Sequence, residues 1–201
     1  MSQKDFVPYD TVRDNALKLG HQIAQSGFIP DVIYVSLRGG AYLGNILSEY
    51  FKVWRKGGRP VFYAAVVAHS YTDVRQNTAV RVDGWTYSPK HLRSGDKVLF
   101  VDDIFDTGRT INHLVNVILE RGIPRQDVKI AVHDYKVFAD AEPLPIAPDF
   151  YCRRHDIPNR SQDPWIHYLS HELIGLTPEE RQKWYIKDDP AMAQALSVFE
   201  R

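Results

Sequence analysis

The stretch from Val98 to Thr110, V-L-F-V-D-D-I-F-D-T-G-R-T, constrains what this chain can fold into more than any other. An apolar run stops at Asp102 and Asp103, a third carboxylate follows at Asp106, and Thr107, Gly108, Arg109 and Thr110 lead into a helical pattern. A strand buried on both faces reads as continuous apolar residues. A glycine-containing loop running into a helix presents backbone N–H groups that hold a phosphate. Three carboxylates would repel a bare phosphate, so the two features agree only if the ligand carries phosphate at one end and hydroxyls, a metal ion or developing positive charge at the other. In an α/β sheet the carboxyl ends of the strands are where ligands bind. One aspartate there could be a turn former or helix cap, and Asp106 alone fits that description, but three beside a phosphate-type loop exceed what capping needs.

The rest of the chain supplies the sheet around this strand. Val12, Ala16, Leu19 and Ile23 recur at helical spacing, with Asp10 or Thr11 as N-cap and Gly27 as stop. Val32 to Val35 is a short apolar run that breaks at Ser36-Leu37-Arg38-Gly39-Gly40, after which Leu43, Ile46, Leu47 and Tyr50 resume a helical stripe. Val61 to Val67 predicts a further strand. Between Ala68 and Asp96 the periodicity weakens and turn residues accumulate, which predicts a long loop, functional or disordered, with room for a hairpin near Ala79 to Gly84. Ile111, Leu114, Val115 and Ile118 mark a helix ending at Gly122, Asp127 to Val132 a strand, and Phe150 to Cys152 a weaker one. Strands alternating with helices predict an α/β fold with a central parallel sheet flanked by helices. Residues 1–152 are expected as the core, and 153–201 as a small C-terminal cap in the same compact unit. Within that cap Thr177-Pro178-Glu179-Glu180 has the signature of a helix start, and Asp189-Pro190 opens a last short helix.

Composition narrows the function. The 201 residues carry 25 basic and 25 acidic side chains. There is no global field to attract nucleic acid or an anionic membrane, and any anion must be captured by local geometry. The only cysteine, Cys152, excludes an intramolecular disulfide framework. With no secretory leader pattern and no membrane-length apolar segment, the expected location is cytoplasmic. His155, His167 and His171 lack the spacing of a zinc site.

Val101 to Thr110 resembles the phosphoribosyl pyrophosphate (PRPP) motif of type I phosphoribosyltransferases. Ser36 to Gly40 resembles the pyrophosphate loop of the family's 6-oxopurine branch. The likeness, with Trp165-Ile166, covers roughly Val32 to Glu172 and implies the family's fold, in which the cap is a hood and the long loop is flexible and catalytic. It implies that Asp102 and Asp103 hold the ribose hydroxyls, that Thr107, Gly108, Arg109 and Thr110 wrap the 5′-phosphate, and that Asp106 is the catalytic base toward the purine nitrogen. Leu37, Arg38 and Gly39 would offer backbone N–H groups to pyrophosphate, with a cis peptide between Leu37 and Arg38. Ser70-Tyr71 matches a pair in the catalytic loop. Lys136, expected just past its strand, would donate to the exocyclic oxygen of the base, Trp165 would stack on the ring, and Ile166 would contribute backbone contacts. The family places a metal-linked acid six or seven positions after the stacking aromatic; Glu172 fits the longer spacing and His171 occupies the shorter.

The activity so implied is Mg²⁺-dependent purine salvage: PRPP and hypoxanthine, guanine or xanthine give the nucleoside 5′-monophosphate and pyrophosphate. The implied assembly is a homodimer or homotetramer, with no nucleic-acid or membrane partner. A non-catalytic PRPP or nucleotide sensor on the same fold is the alternative. It would share the PRPP motif but would not need Lys136, Trp165 or Ser70-Tyr71.

Overall fold

The structure, a computed structural model, describes residues 4–72 and 78–200, with the backbone alone described at 69–72 and 78–79. The acidic stretch ends β5 (Val98–Phe105), an interior strand of a six-stranded sheet. Its neighbours β2 (Val32–Leu37) and β6 (Val128–Phe138) both run parallel to it. Outside β2 lie β3 (Phe62–Thr72) and β4 (Thr78–Trp85), and outside β6 lies β7 (Phe150–Ile157), in the order β4-β3-β2-β5-β6-β7. Of these pairings, β3 with β4 alone is antiparallel.

Burial on both faces explains why β2 and β5 read as unbroken apolar runs. On one face Val98 and Phe100 join Val32, Tyr34 and the Ile111, Leu114 and Ile118 stripe of α3 (Arg109–Leu119). On the other, Leu99 and Val101 join Ile33 and Val35 beneath α1 (Tyr9–Gln25) and α2 (Gly40–Trp54). Each such side chain removed from water contributes about 1.5–3 kcal/mol, and the two layers together fix the height of β5 between its helices.

Several boundaries differ from the sequence-based expectation, each for a physical reason. Helix α1 starts at Tyr9, ahead of Asp10 and Thr11, with Pro8 as its cap residue; the Pro8 carbonyl accepts from Val12 N at 3.2 Å. Strand β3 continues past Val67 to Thr72 because β4 pairs with it, so residues 68–72 and 78–85 of the expected long loop form an antiparallel arm. Trp85 at the base of this arm packs edge-on against Tyr34, with ring centroids 4.9 Å apart. Strand β6 runs on to Phe138, which places Lys136 inside the strand. Strand β7 is also longer than expected: its Arg153 and His155 satisfy a buried carboxylate on β6, so the charged residues are part of the pairing edge.

Two strands were not anticipated. β1 (Lys4–Val7) pairs in parallel with β8 (Trp165–Tyr168), forming a separate two-stranded sheet. Val7, Val12, Ile166 and Tyr168 make its small core, with Ile104 of β5 packed against it. A four-residue strand with one full side of pairing is too short to show periodicity, so tertiary pairing decides it. Beyond it, α4 (Pro178–Arg181) begins at the expected capping box, in which Glu180 N donates to Thr177 Oγ1 at 3.2 Å and Thr177 N to Glu180 Oε2 at 2.8 Å. Helix α5 (Pro190–Ala195) starts at Asp189, whose carboxylate accepts from Ala191 N at 2.9 Å. Among the described residues no helix is long and apolar enough to cross a membrane.

Candidate active site

At the carboxyl end of β2 the peptide between Leu37 and Arg38 is cis. Gly39 follows with φ −58°, an ordinary helical angle, so its lack of a side chain serves contact and not torsion. A Cβ there would stand 2.2 Å from Asp103 Oδ1, and one at Gly40 would stand 2.4 Å from the Val101 carbonyl. Bare Cα atoms let the loop after β2 lie directly on the acidic end of β5. At Gly108 the reason differs. Its φ of +71° favours glycine, and a Cβ would be 2.1 Å from the Phe105 ring. Gly108 is the N-cap of α3 and supplies no capping side chain, so the first N–H groups of that helix keep their capacity for an anion. Arg38, Thr107 and Arg109 are exposed around this rim.

Behind the rim the aspartates occupy distinct environments. Burial, then the neighbouring Asp103 carboxylate, pushes Asp102 well above the usual carboxylate range. Two crowded carboxylates of this kind favour a nearby cation or hydroxyl donors. Asp103 Oδ1 accepts from Ile104 N at 2.9 Å, and its carbonyl lies 2.9 Å from the Tyr168 hydroxyl oxygen. Asp106 has a buried Oδ1 with no hydrogen-bond partner among the described residues. Such an atom costs free energy unless a ligand or solvent satisfies it.

Asp106 faces a cleft of about 340 Å³ whose walls also include Ile104, Lys136, Trp165, Ile166 and Glu172. Lys136 is 7% exposed, with its Nζ 2.5 Å from Asp163 Oδ1 and 3.2 Å from the Pro164 carbonyl. An ammonium has three donors, so one remains for the cleft. Trp165 is 40% exposed, while the Ile166 side chain is buried in the small β1–β8 core, leaving its backbone as the part able to meet a ligand. Glu172 Oε2 accepts from Tyr168 N at 3.0 Å. Ser70 and Tyr71 pair with Val80 and Ala79 along the arm, and their side chains lie outside the described residues. A second cavity of about 270 Å³ on the Phe105 and Tyr135 side shares Asp106 and Lys136 with the first. The larger groove of about 830 Å³ beside Leu17, Tyr50 and Trp54 lies apart from all of these residues.

Sequence reasoning missed the support for this cleft. Asp134 lies fully buried in β6, and its carboxylate accepts from His133 Nδ1, Arg153 Nε and His155 Nε2 at 2.6 Å each and from the Tyr168 hydroxyl at 2.5 Å. Burial alone would raise its pKa, but the bonds from His133, Arg153 and Tyr168 hold it well below the ordinary range. The signal was weak, because the expected strand stopped at Val132 and Asp134 stands between other polar residues, His133 and Lys136; only once β6 extends to Phe138 does a buried acid there call for partners. Asn112 was also missed. Its amide donates to the carbonyls of Gly108 at 3.0 Å and Ile146 at 2.7 Å, tying the helix start to the segment before β7.

As for metal, no cluster of three or more His, Cys, Asp or Glu residues forms a ready cage among the described residues. Crowded Asp102 and Asp103 nevertheless fit an ion such as Mg²⁺, which keeps several waters and binds through one or two carboxylates plus phosphate oxygens of a substrate.

A mostly parallel sheet flanked by helices, with carboxylates and a glycine-opened helix start at its carboxyl edge, defines an α/β protein. The family described as phosphoribosyl transferase domain matches residues 9–143, and the chain belongs to it, as a type I phosphoribosyltransferase. Among curated proteins it is similar to the bifunctional protein PyrR of Halalkalibacterium halodurans, 26% identical over 170 residues, covering 82% of this chain and 89% of that protein. Among solved structures it resembles a purine phosphoribosyltransferase from Pyrococcus horikoshii Ot3, with TM-score 0.64 and 19% identity over 87% of this chain and 99% of that one. A Neisseria gonorrhoeae protein solved with bound ppGpp has TM-score 0.64 and 19% identity, covering 92% and 96%.

Proposed function

We propose that the chain is a Mg²⁺-dependent purine phosphoribosyltransferase that joins a 6-oxopurine to PRPP and releases pyrophosphate. The observation that carries this reading is the partnerless buried Oδ1 of Asp106 in one cleft with Lys136 and Trp165, next to the Gly108 helix start. In this reading Thr107 to Thr110 hold the 5′-phosphate, Asp102 and Asp103 accept from the ribose hydroxyls, and the Leu37-Arg38-Gly39 backbone receives pyrophosphate. Trp165 stacks on the base, the Ile166 backbone meets its edge, and the remaining Lys136 donor meets its exocyclic oxygen. Asp106 takes the proton from the ring nitrogen as that atom bonds to the ribose carbon and pyrophosphate departs. Bound Mg²⁺, with Asp102, Asp103 or Glu172 as its protein partners, would neutralise the leaving pyrophosphate. Residues 1–152 then form the PRPP-binding core and 153–201 the hood, with Ser70 and Tyr71 on the arm that excludes water. A cytoplasmic homodimer or homotetramer completes the proposal.

The likeness to a protein named bifunctional favours one second reading, a PRPP- or nucleotide-sensing regulator. The test is purified protein with PRPP and Mg²⁺, offered each purine and pyrimidine base, with pyrophosphate release measured. Release with hypoxanthine, guanine or xanthine is expected. Release with a pyrimidine alone would replace the substrate assignment, and PRPP binding without release for any base would establish the sensor.

A further inference from the structure

His171 makes a contact that the functional reading does not use. Its Nε2 lies 3.3 Å from Asp103 Oδ2. On the far side of the ring, Ser170 Oγ is 3.0 Å from Nδ1. A carboxylate accepts and does not donate, so a hydrogen on Nε2 is what this contact can use, and Nδ1 has the Ser170 hydroxyl as its partner. The imidazole also stacks on Tyr168, with centroids 5.2 Å apart and planes at 18°. Nor does it sit on a loose segment. Glu172 N and His171 N donate to the Tyr168 carbonyl at 2.9 and 3.3 Å, and Tyr168 N donates back to Glu172 Oε2 at 3.0 Å. The Tyr168 hydroxyl reaches the Asp103 carbonyl, so two side chains from one turn converge on one residue of β5.

We propose that His171 is a positioning residue for the phosphoribosyl site, directing its Nε2 hydrogen at Asp103 and setting the orientation in which that carboxylate meets the ribose hydroxyls. The inference rests on the role proposed above for Asp103. That carboxylate is held by Ile104 N on Oδ1, by His171 at Oδ2, and by the bare Cα of Gly39 behind it. Each oxygen retains a lone pair for a ligand hydroxyl. Contacts of this kind are commonly long in free enzymes and shorten in the substrate complex. The segment after β8 would thereby contribute to the PRPP half of the site as well as to the base half.

Two variants separate hydrogen bonding from packing. His171→Phe retains a ring over Tyr168 without a donor, and His171→Gln retains a donor near the Nε2 position without the ring. Calorimetric titration with PRPP and Mg²⁺ is paired with separate KM values for PRPP and base. His171→Phe is expected to weaken PRPP binding and raise the PRPP KM by about tenfold or more, the scale of a lost hydrogen bond to a charged group, with the base KM unchanged. His171→Gln should recover most of that loss. Unaltered PRPP binding in His171→Phe, a Gln variant as impaired as the Phe variant, or an equal rise in both KM values would each overturn the positioning role. If the wild-type protein neither binds PRPP nor releases pyrophosphate, the functional reading falls and this inference with it. Normal wild-type binding with an unaffected Phe variant overturns the inference alone.

Discussion

At the scale of single residues, the site separates chemistry from contact. Asp106 makes no internal hydrogen bond through its buried Oδ1, so replacing it disturbs little besides what enters the cleft. Asp106→Asn is therefore expected to lower kcat by at least about tenfold while the KM for PRPP stays near the wild-type value, the pattern of a lost proton acceptor; unchanged turnover in steady-state kinetics would remove Asp106 from the mechanism. Gly39 is the opposite case, because its role is to leave space. A methyl group 2.2 Å from the Asp103 carboxylate must displace the loop or the acid. Overpacking of this kind costs about 1–3 kcal/mol, so Gly39→Ala should raise the KM for PRPP by about tenfold, with little change in the KM for base. Equal kinetics in the two proteins would show that the loop and β5 are not held together during binding. For Lys136, the pairing with Asp163 and the Pro164 carbonyl directs the ammonium from β6 toward the segment just before Trp165.

At the scale of elements, β6 and β8 are joined through one buried acid. Asp134 receives four donors drawn from β6, β7 and β8, so it fixes the height of Tyr168, and with it the turn carrying His171 and Glu172, against the end of β5. Removing one partner of a buried charge network leaves the others uncompensated, and Asp134→Ala should destabilise the protein by about 3–5 kcal/mol in urea unfolding. The pH dependence follows from the depressed pKa. An unfolded aspartate titrates near about 3.9 and the folded one lies below that. The network's contribution is therefore complete above about pH 4 and is lost as pH falls below it toward the folded value. Urea midpoints measured from pH 7 down to pH 3 should fall on the acid side, and less steeply for Asp134→Asn; identical acid profiles would contradict this role.

At the scale of the whole molecule, stability and site share the same strand. Leu99 lies fully buried between the sheet and the α1–α2 layer, three residues before Asp102. Leu99→Ala is expected to cost about 2–5 kcal/mol by thermal or urea unfolding, since the residues around it are closed on every side. A loss below about 1 kcal/mol would mean that this layer relaxes more than its packing implies. Much of this molecule was legible from local pattern. The unbroken apolar runs of β2 and β5, the stripe of α3, and the glycines before α2 and α3 each encode their own conformation, because burial on two faces and close backbone approach restrict residue type directly. The mostly parallel sheet and the cluster of acids at its edge followed from them, whereas the cis peptide between Leu37 and Arg38 was implied by the family resemblance alone. What sequence alone determined, then, is the central strand, its phosphate-type loop and the helices that flank it. Only the tertiary structure decided that Lys4–Val7 is a strand, that β7 extends through Arg153 to Ile157, that Lys136 pairs with Asp163, and that His171 faces Asp103. These features depend on partners 19 or more positions away in the chain, and a polar side chain shows its use only once folding has brought its donor or acceptor beside it.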